Sequence, residues 1–174
     1  MPSNPEATVL AAMIPPAIVE KIRALIPRYP SPRAVTLPAL HLVHEHFRCV
    51  PHRAMAEIAA LLDITPAEVS DTMSFYGFFP QAPIGDVRVW VCRSISCMLR
   101  GGDEMLGHAC RSLGIEPGQT TQDGKLTVEF AECLGICDYA PAALADDGRV
   151  FGPLDESSTE AMLNELKQGP RELF

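Results

Sequence analysis

The sequence predicts an α+β protein in which a helical N-terminal bundle precedes a small mixed sheet flanked by helices. Three observations carry this reading. Apolar residues recur at helical spacing up to about residue 80 and alternate at a spacing of two after it. The charge shifts at the same place: residues 1–80 hold 6 basic and 7 acidic groups, residues 81–174 hold 8 and 15. The 174 residues, 47% apolar and 21% charged, suffice for one ordinary domain or two small ones with a real core. The expected division is a helical bundle over 1–80 and a sheet domain over 81–174.

In the first half, Pro16 opens a helix to about residue 26, with Ile18, Ile22, Leu25 and Ile26 along one stripe. The proline-rich stretch over 27–32 ends it. A second helix runs up to Phe47 and places Leu40, Val43 and Phe47 on one face. A third spans roughly 52–62, with Met55, Ile58, Ala59 and Leu62 at helical spacing. Thr65-Pro66-Ala67-Glu68 joins a capping box to a proline at the first helical position, so a fourth helix runs to about Phe75. In the second half, Val87 to Val91 alternates and forms a strand that delivers Cys92 at its end. A helix over 103–113 is closed by Gly114. Leu126 to Phe130 forms a second strand, with Cys133 just beyond it. Asp146-Asp147-Gly148 turns a hairpin between residues 142–145 and 149–151. Ser157-Ser158-Thr159-Glu160 reads as a capping box that opens a final helix ending near Gly169. The order β-α-β-β-β-α suits a parallel crossover with antiparallel edges.

Composition narrows the function. A formal net charge of −8 argues against a nucleic-acid partner. The longest apolar run, over 9–19, is too short to span a bilayer and contains Pro15 and Pro16. It lacks the basic flank and cleavage site of a secretory peptide. Direct membrane insertion is therefore not expected, and the default compartment is the cytoplasm, where disulfides are rare. The six cysteines then need another explanation.

Cys92 and Cys97 are separated by four residues, Cys133 and Cys137 by three, and both pairs follow strands. Loops can turn four sulfurs toward one centre, which a regular strand cannot. Four thiolates suit a tetrahedral zinc or an iron–sulfur cluster. Zinc hooks are usually tighter, and a two-iron cluster accommodates a wider one. No C-x-x-C pair suggests a thioredoxin-type dithiol. Gly135 lies inside the second hook; Gly101-Gly102 follow the first, either serving the cluster or merely starting the helix.

Residues 91–98 (Val-Cys-Arg-Ser-Ile-Ser-Cys-Met), then Glu132-Cys133-Leu134-Gly135-Ile136-Cys137 and Ala140-Pro141, resemble the thioredoxin-like 2Fe–2S ferredoxin family. Within it, the chain is most similar to the small 2Fe–2S subunit (the NuoE family) of bacterial respiratory complex I. Leu37-Pro38-Ala39-Leu40-His41, Thr65-Pro66-Ala67-Glu68-Val69 and Phe75-Tyr76-Gly77-Phe78-Phe79 resemble that family's N-terminal bundle, so the likeness runs from about residue 16 to 167. It implies a thioredoxin-like second domain and one 2Fe–2S cluster ligated by Cys92, Cys97, Cys133 and Cys137. It also implies electron transfer beside a subunit that holds FMN and NADH, and a homodimer when that partner is absent. The chain departs from the family twice. Arg48-Cys49 stands where a glycine-aromatic pair is usual, and Ile136 replaces a small residue before the last ligand.

The chain shows no G-x-G-x-x-G, P-loop or flavin site, so hydride chemistry belongs to another polypeptide. It reads as a redox subunit of NADH:quinone oxidoreductase, an NADH dehydrogenase, without a hydride-transfer site of its own. The peripheral arm of a membrane-associated complex is then its expected place. The equivalent subunit of a soluble NAD-linked formate dehydrogenase or hydrogenase is the alternative, and a zinc-stabilised interaction domain stands as a different class. Cys49 and Cys110 read as small buried hydrophobes. His41 and His44, one turn apart, form a weak metal pair without a third ligand. His46, His52 and His108 read as isolated surface or capping groups. Trp90 and the aromatic run over 75–79 read as core or partner interface.

Overall fold

The computed structural model describes residues 12–170, and residues 9–11 of the apolar N-terminal run fall outside them. The chain divides into two compact units, residues 1–83 and 84–174, each with its own core.

The first unit holds four helices: α1 (Pro16–Leu25), α2 (Thr36–Phe47), α3 (His52–Leu62) and α4 (Pro66–Phe75). Ile22, Leu40, Val43, Ile58 and Leu62 interlock at its centre with almost no exposure. Each such side chain contributes about 1.5–3 kcal/mol by leaving water. The prolines over 27–32 turn the chain through two short 3₁₀ segments, Ile26–Arg28 and Pro32–Val35, instead of a longer helix. The capping box at α4 is formed: Thr65 N–H donates to Glu68 Oε2 at 2.9 Å, and Glu68 N–H to Thr65 Oγ1 at 3.3 Å. Arg48 ends α2 in the left-handed conformation (φ 55°). A non-glycine residue there costs about 1 kcal/mol of backbone strain.

The second unit is a four-stranded mixed sheet of order β2-β1-β3-β4, with β1 (Val87–Cys92), β2 (Leu126–Ala131), β3 (Ala143–Ala145) and β4 (Val150–Phe151). β1 and β2 are parallel; β3 runs antiparallel to β1 and to β4. Three helices accompany the sheet: α5 (Ile95–Met98), α6 (Gly102–Leu113) and α7 (Glu156–Leu166). α6 packs on β1 and β2, and α7 against α6, around Val89, Val91, Leu126, Val128, Leu163 and Leu166.

Three local expectations are corrected. The last helix is capped by Asp155, whose carboxylate accepts from Ser158 N–H at 2.7 Å, so the box lies two residues earlier than Ser157. Glu160, the acidic member of the expected box, instead accepts from Ser112 Oγ on α6. The hairpin strands are shorter than expected, Ala143–Ala145 and Val150–Phe151: Arg149 falls in the turn, where its carbonyl accepts from Ala145 N–H at 2.9 Å and its guanidinium donates to Asp147 (2.8 Å) and to the Gly169 carbonyl (3.0 Å). His108 is not isolated, since its Nε2 lies 3.0 Å from Glu160 Oε1 across α6 and α7.

Candidate metal centre

β1 and β2 bring the two cysteine hooks together by register. Cys92 stands opposite Ala131, so the chain that leaves β2 reaches Cys133 two residues beyond the same end of the sheet. The first hook is more ordered than a loop: Ile95–Met98 makes one helical turn, with Met98 N–H donating to Ser94 C=O at 2.9 Å, and Cys97 rides on it. The second hook turns at Gly135 (φ 76°), a conformation that a larger residue would strain. It then enters a 3₁₀ turn, Cys137–Tyr139, where Ala140 N–H donates to Cys137 C=O at 3.1 Å.

Cys92, Cys97, Cys133 and Cys137 line one recess of about 50 Å³, completed by Ser94, Ile95 and Ser96. The hooks differ in exposure. Cys92 and Cys97 are 3% and 2% exposed, whereas Cys133 and Cys137 face solvent. Four thiols and an isoleucine wall form a soft donor set in a largely apolar setting, which suits iron–sulfur ligation. Among the described residues, no group of three or more His, Cys, Asp or Glu side chains stands close enough together to hold a metal ion.

Electrostatics at the hooks follow from burial and neighbours. Burial pushes the Cys97 thiol above its ordinary range; a hydrogen bond with Cys92 and the nearby Cys92 and Cys137 thiolates push the same way, while a backbone hydrogen bond from Ala142 opposes them. A positive metal centre would offset that cost for a cysteine that binds it as a thiolate. Ala142 also accepts from Cys92 N–H at 2.9 Å, so the stretch leading into β3 holds the first hook at two points. Arg93 lies 3.6 Å above the Phe130 ring and donates to Glu132 at 3.0 Å, which ties the start of one hook to the start of the other.

Cys49 and Cys110 are buried elsewhere, with thiols pushed up by burial, the inert pattern expected of small hydrophobes. His41 and His44 pack against Phe78 and Phe79, with ring centroids 4.8–5.9 Å apart. Sequence reasoning misses the α5 turn and the Ala142 contacts. A single turn of four residues has too few positions to show a helical period, and backbone partners leave no side-chain signal.

Residues 22–167 match the thioredoxin-like [2Fe-2S] ferredoxin family. A NuoE-type subunit of the NADH-quinone oxidoreductase of Rhizobium meliloti is 34% identical over 152 residues, 87% of this chain and 90% of its own. NADH-quinone oxidoreductase subunit 2 of Thermus thermophilus is 34% identical over 139 residues, 80% of this chain and 77% of its own. A crystal structure of an NAD+-reducing [NiFe]-hydrogenase in the air-oxidized state aligns over 76% of this chain with a TM-score of 0.65 and 30% identity. The chain spans 23% of the length of that hydrogenase chain. A mixed sheet that ends in a four-thiol recess, with these relatives, defines an iron–sulfur electron carrier. The chain belongs to the thioredoxin-like [2Fe-2S] ferredoxin family, and its cofactor is one 2Fe–2S cluster.

Proposed function

We propose that Cys92, Cys97, Cys133 and Cys137 ligate the cluster, and that the chain passes single electrons beside a flavin- and NADH-binding subunit of NADH:quinone oxidoreductase. The observation that carries this is that these four cysteines, out of six, line one recess. When bound, the cluster supplies one-electron redox chemistry and takes no hydride, so hydride transfer belongs to the flavin partner. The chain's own part is to hold thiolates, exclude water and set the field. The buried first hook shields one side of the recess, Gly135 turns the second hook, and Arg93 sets a positive charge beside Glu132.

Residues 84–174 form the cluster domain in this reading, and the helical unit before them is a partner-facing module. No helix among the described residues is long and apolar enough to cross a membrane, which suits a peripheral, cytoplasmic subunit. The 0.65 TM-score to the hydrogenase supports a second parent assembly, a soluble NAD-linked hydrogenase or formate dehydrogenase. Affinity purification from cells that express the partners decides between them. Recovery of a flavoprotein with quinone-reductase subunits supports the first reading, and recovery with a hydrogenase or formate dehydrogenase subunit supports the second. Purified colourless protein with one zinc and no iron would overturn both.

A further inference from the structure

The first hook is braced from behind. The first turn of α6 passes so close to it that a Cβ on Gly102 would lie 2.7 Å from the carbonyl oxygen of Cys92 and 3.0 Å from that of Cys97. Both neighbours are backbone atoms and cannot swing aside as a side-chain tip would. Gly102 lies outside the left-handed region, so space and not conformational freedom demands glycine here. The hook has little slack to yield it: Cys97 C=O already accepts from Arg100 N–H at 3.1 Å, and Cys92 N–H is held by Ala142 C=O at 2.9 Å.

We propose that Gly102 is a positioning residue for the cluster: by letting the α6 backbone touch the carbonyls of Cys92 and Cys97, it fixes the separation and depth of those two sulfurs. The inference rests on the assignment of Cys92 and Cys97 as ligands. A Cβ at this position forces the hook outward and displaces the Cys92 and Cys97 sulfurs without removing any thiol. Second-layer supports of this kind are commonly worth 10–100-fold in metal retention.

A matched control exists at the other end of the same strand pair. A Cβ on Gly85 would lie 2.8 Å from the backbone of Leu126, a comparable overlap remote from both hooks. The experiment compares Gly102→Ala, Gly85→Ala and Cys97→Ser in the full chain after anaerobic reconstitution. It measures cluster loss to an iron chelator by visible absorbance, the electron paramagnetic resonance g values after reduction, and the circular dichroism of each cluster-free protein. Gly102→Ala is expected to release iron about tenfold faster than wild type and to shift the g values. Gly85→Ala is expected to lower thermal stability but keep wild-type g values and release. Wild-type release and g values in Gly102→Ala overturn the inference, as does equal loss in Gly85→Ala. Loss of fold in cluster-free Gly102→Ala overturns it too, because the contact would then serve the domain and not the hook. If Cys97→Ser keeps a wild-type cluster, the ligand assignment itself has failed.

Discussion

Asp138 and Glu132 each adjoin a proposed ligand, yet their surroundings differ. Glu132 is paired with Arg93, whereas Asp138 sits in the exposed turn that begins at Cys137. A 2Fe–2S centre with four thiolates goes from −2 to −3 on reduction, so each uncompensated carboxylate nearby opposes the added electron. Removing that charge must make reduction easier. Asp138→Asn is therefore expected to raise the midpoint by tens of millivolts, an effect that shrinks with added salt because the site is at the surface. Arg93→Ala should lower it, since it leaves Glu132 uncompensated. A redox titration monitored by electron paramagnetic resonance reads both, and an unchanged midpoint in both variants would mean that hydrogen bonds and burial outweigh charge.

Asp155 shows how a cap couples to pH. Backbone and side-chain hydrogen bonds from Ser158 hold its carboxyl below the usual carboxylate range. A lowered folded-state value contributes stability above the unfolded value, and this contribution is lost as pH falls through the folded one. Asp155→Ala should therefore lower the melting temperature at pH 7 and make little difference in acid below that range. A melting series against pH measures it.

At the scale of elements, the long periodic segments are legible in the sequence and the short ones are not. Apolar spacing, Pro66 and the Thr65–Glu68 box mark the helices at 52–62 and 66–75, and the structure places them there. The last helix is equally plain but its cap is ambiguous, because Ser157-Ser158-Thr159-Glu160 and Asp155-Glu156-Ser157-Ser158 both offer capping chemistry. Tertiary contacts choose between them: Ser158 N–H donates to Asp155, while Glu160 is taken up by Ser112 and His108 on α6. The four cysteines are conspicuous by spacing, while the difference between the hooks is invisible, since burial of Cys97 depends on the α5 turn and on distant Ala142. That difference is measurable. In cluster-free protein, brief alkylation followed by mass spectrometry should label Cys133 and Cys137 first, and Cys49, Cys92, Cys97 and Cys110 at least about tenfold more slowly, because modification needs access as well as thiolate. Equal labelling of Cys92 and Cys133 would contradict the buried first hook.

For the whole molecule, each unit has a closed core of its own, and residues 81–83 between them are exposed and outside any helix or strand. Exposed irregular segments of this kind are where proteases nick. Limited proteolysis should give two resistant fragments that meet near residues 81–84, with iron retained by the C-terminal one. Early cleavage inside α3 or β1 would contradict two independent cores. The sequence points to this division because both the hydrophobic period and the charge balance change near residue 80. The close approach of α6 to the first hook is not readable there, because Gly101-Gly102 fits a helix start equally well.

Iron and sulfide content, with electron paramagnetic resonance of the reduced protein, across the six single Cys→Ser variants decides whether Cys92, Cys97, Cys133 and Cys137 hold one 2Fe–2S cluster while Cys49 and Cys110 hold nothing. Four-cysteine ligation predicts about two irons and two sulfides per chain in wild type, Cys49→Ser and Cys110→Ser, and loss or an altered spectrum in the other four. A cluster lost in Cys110→Ser but unchanged in Cys97→Ser would contradict it.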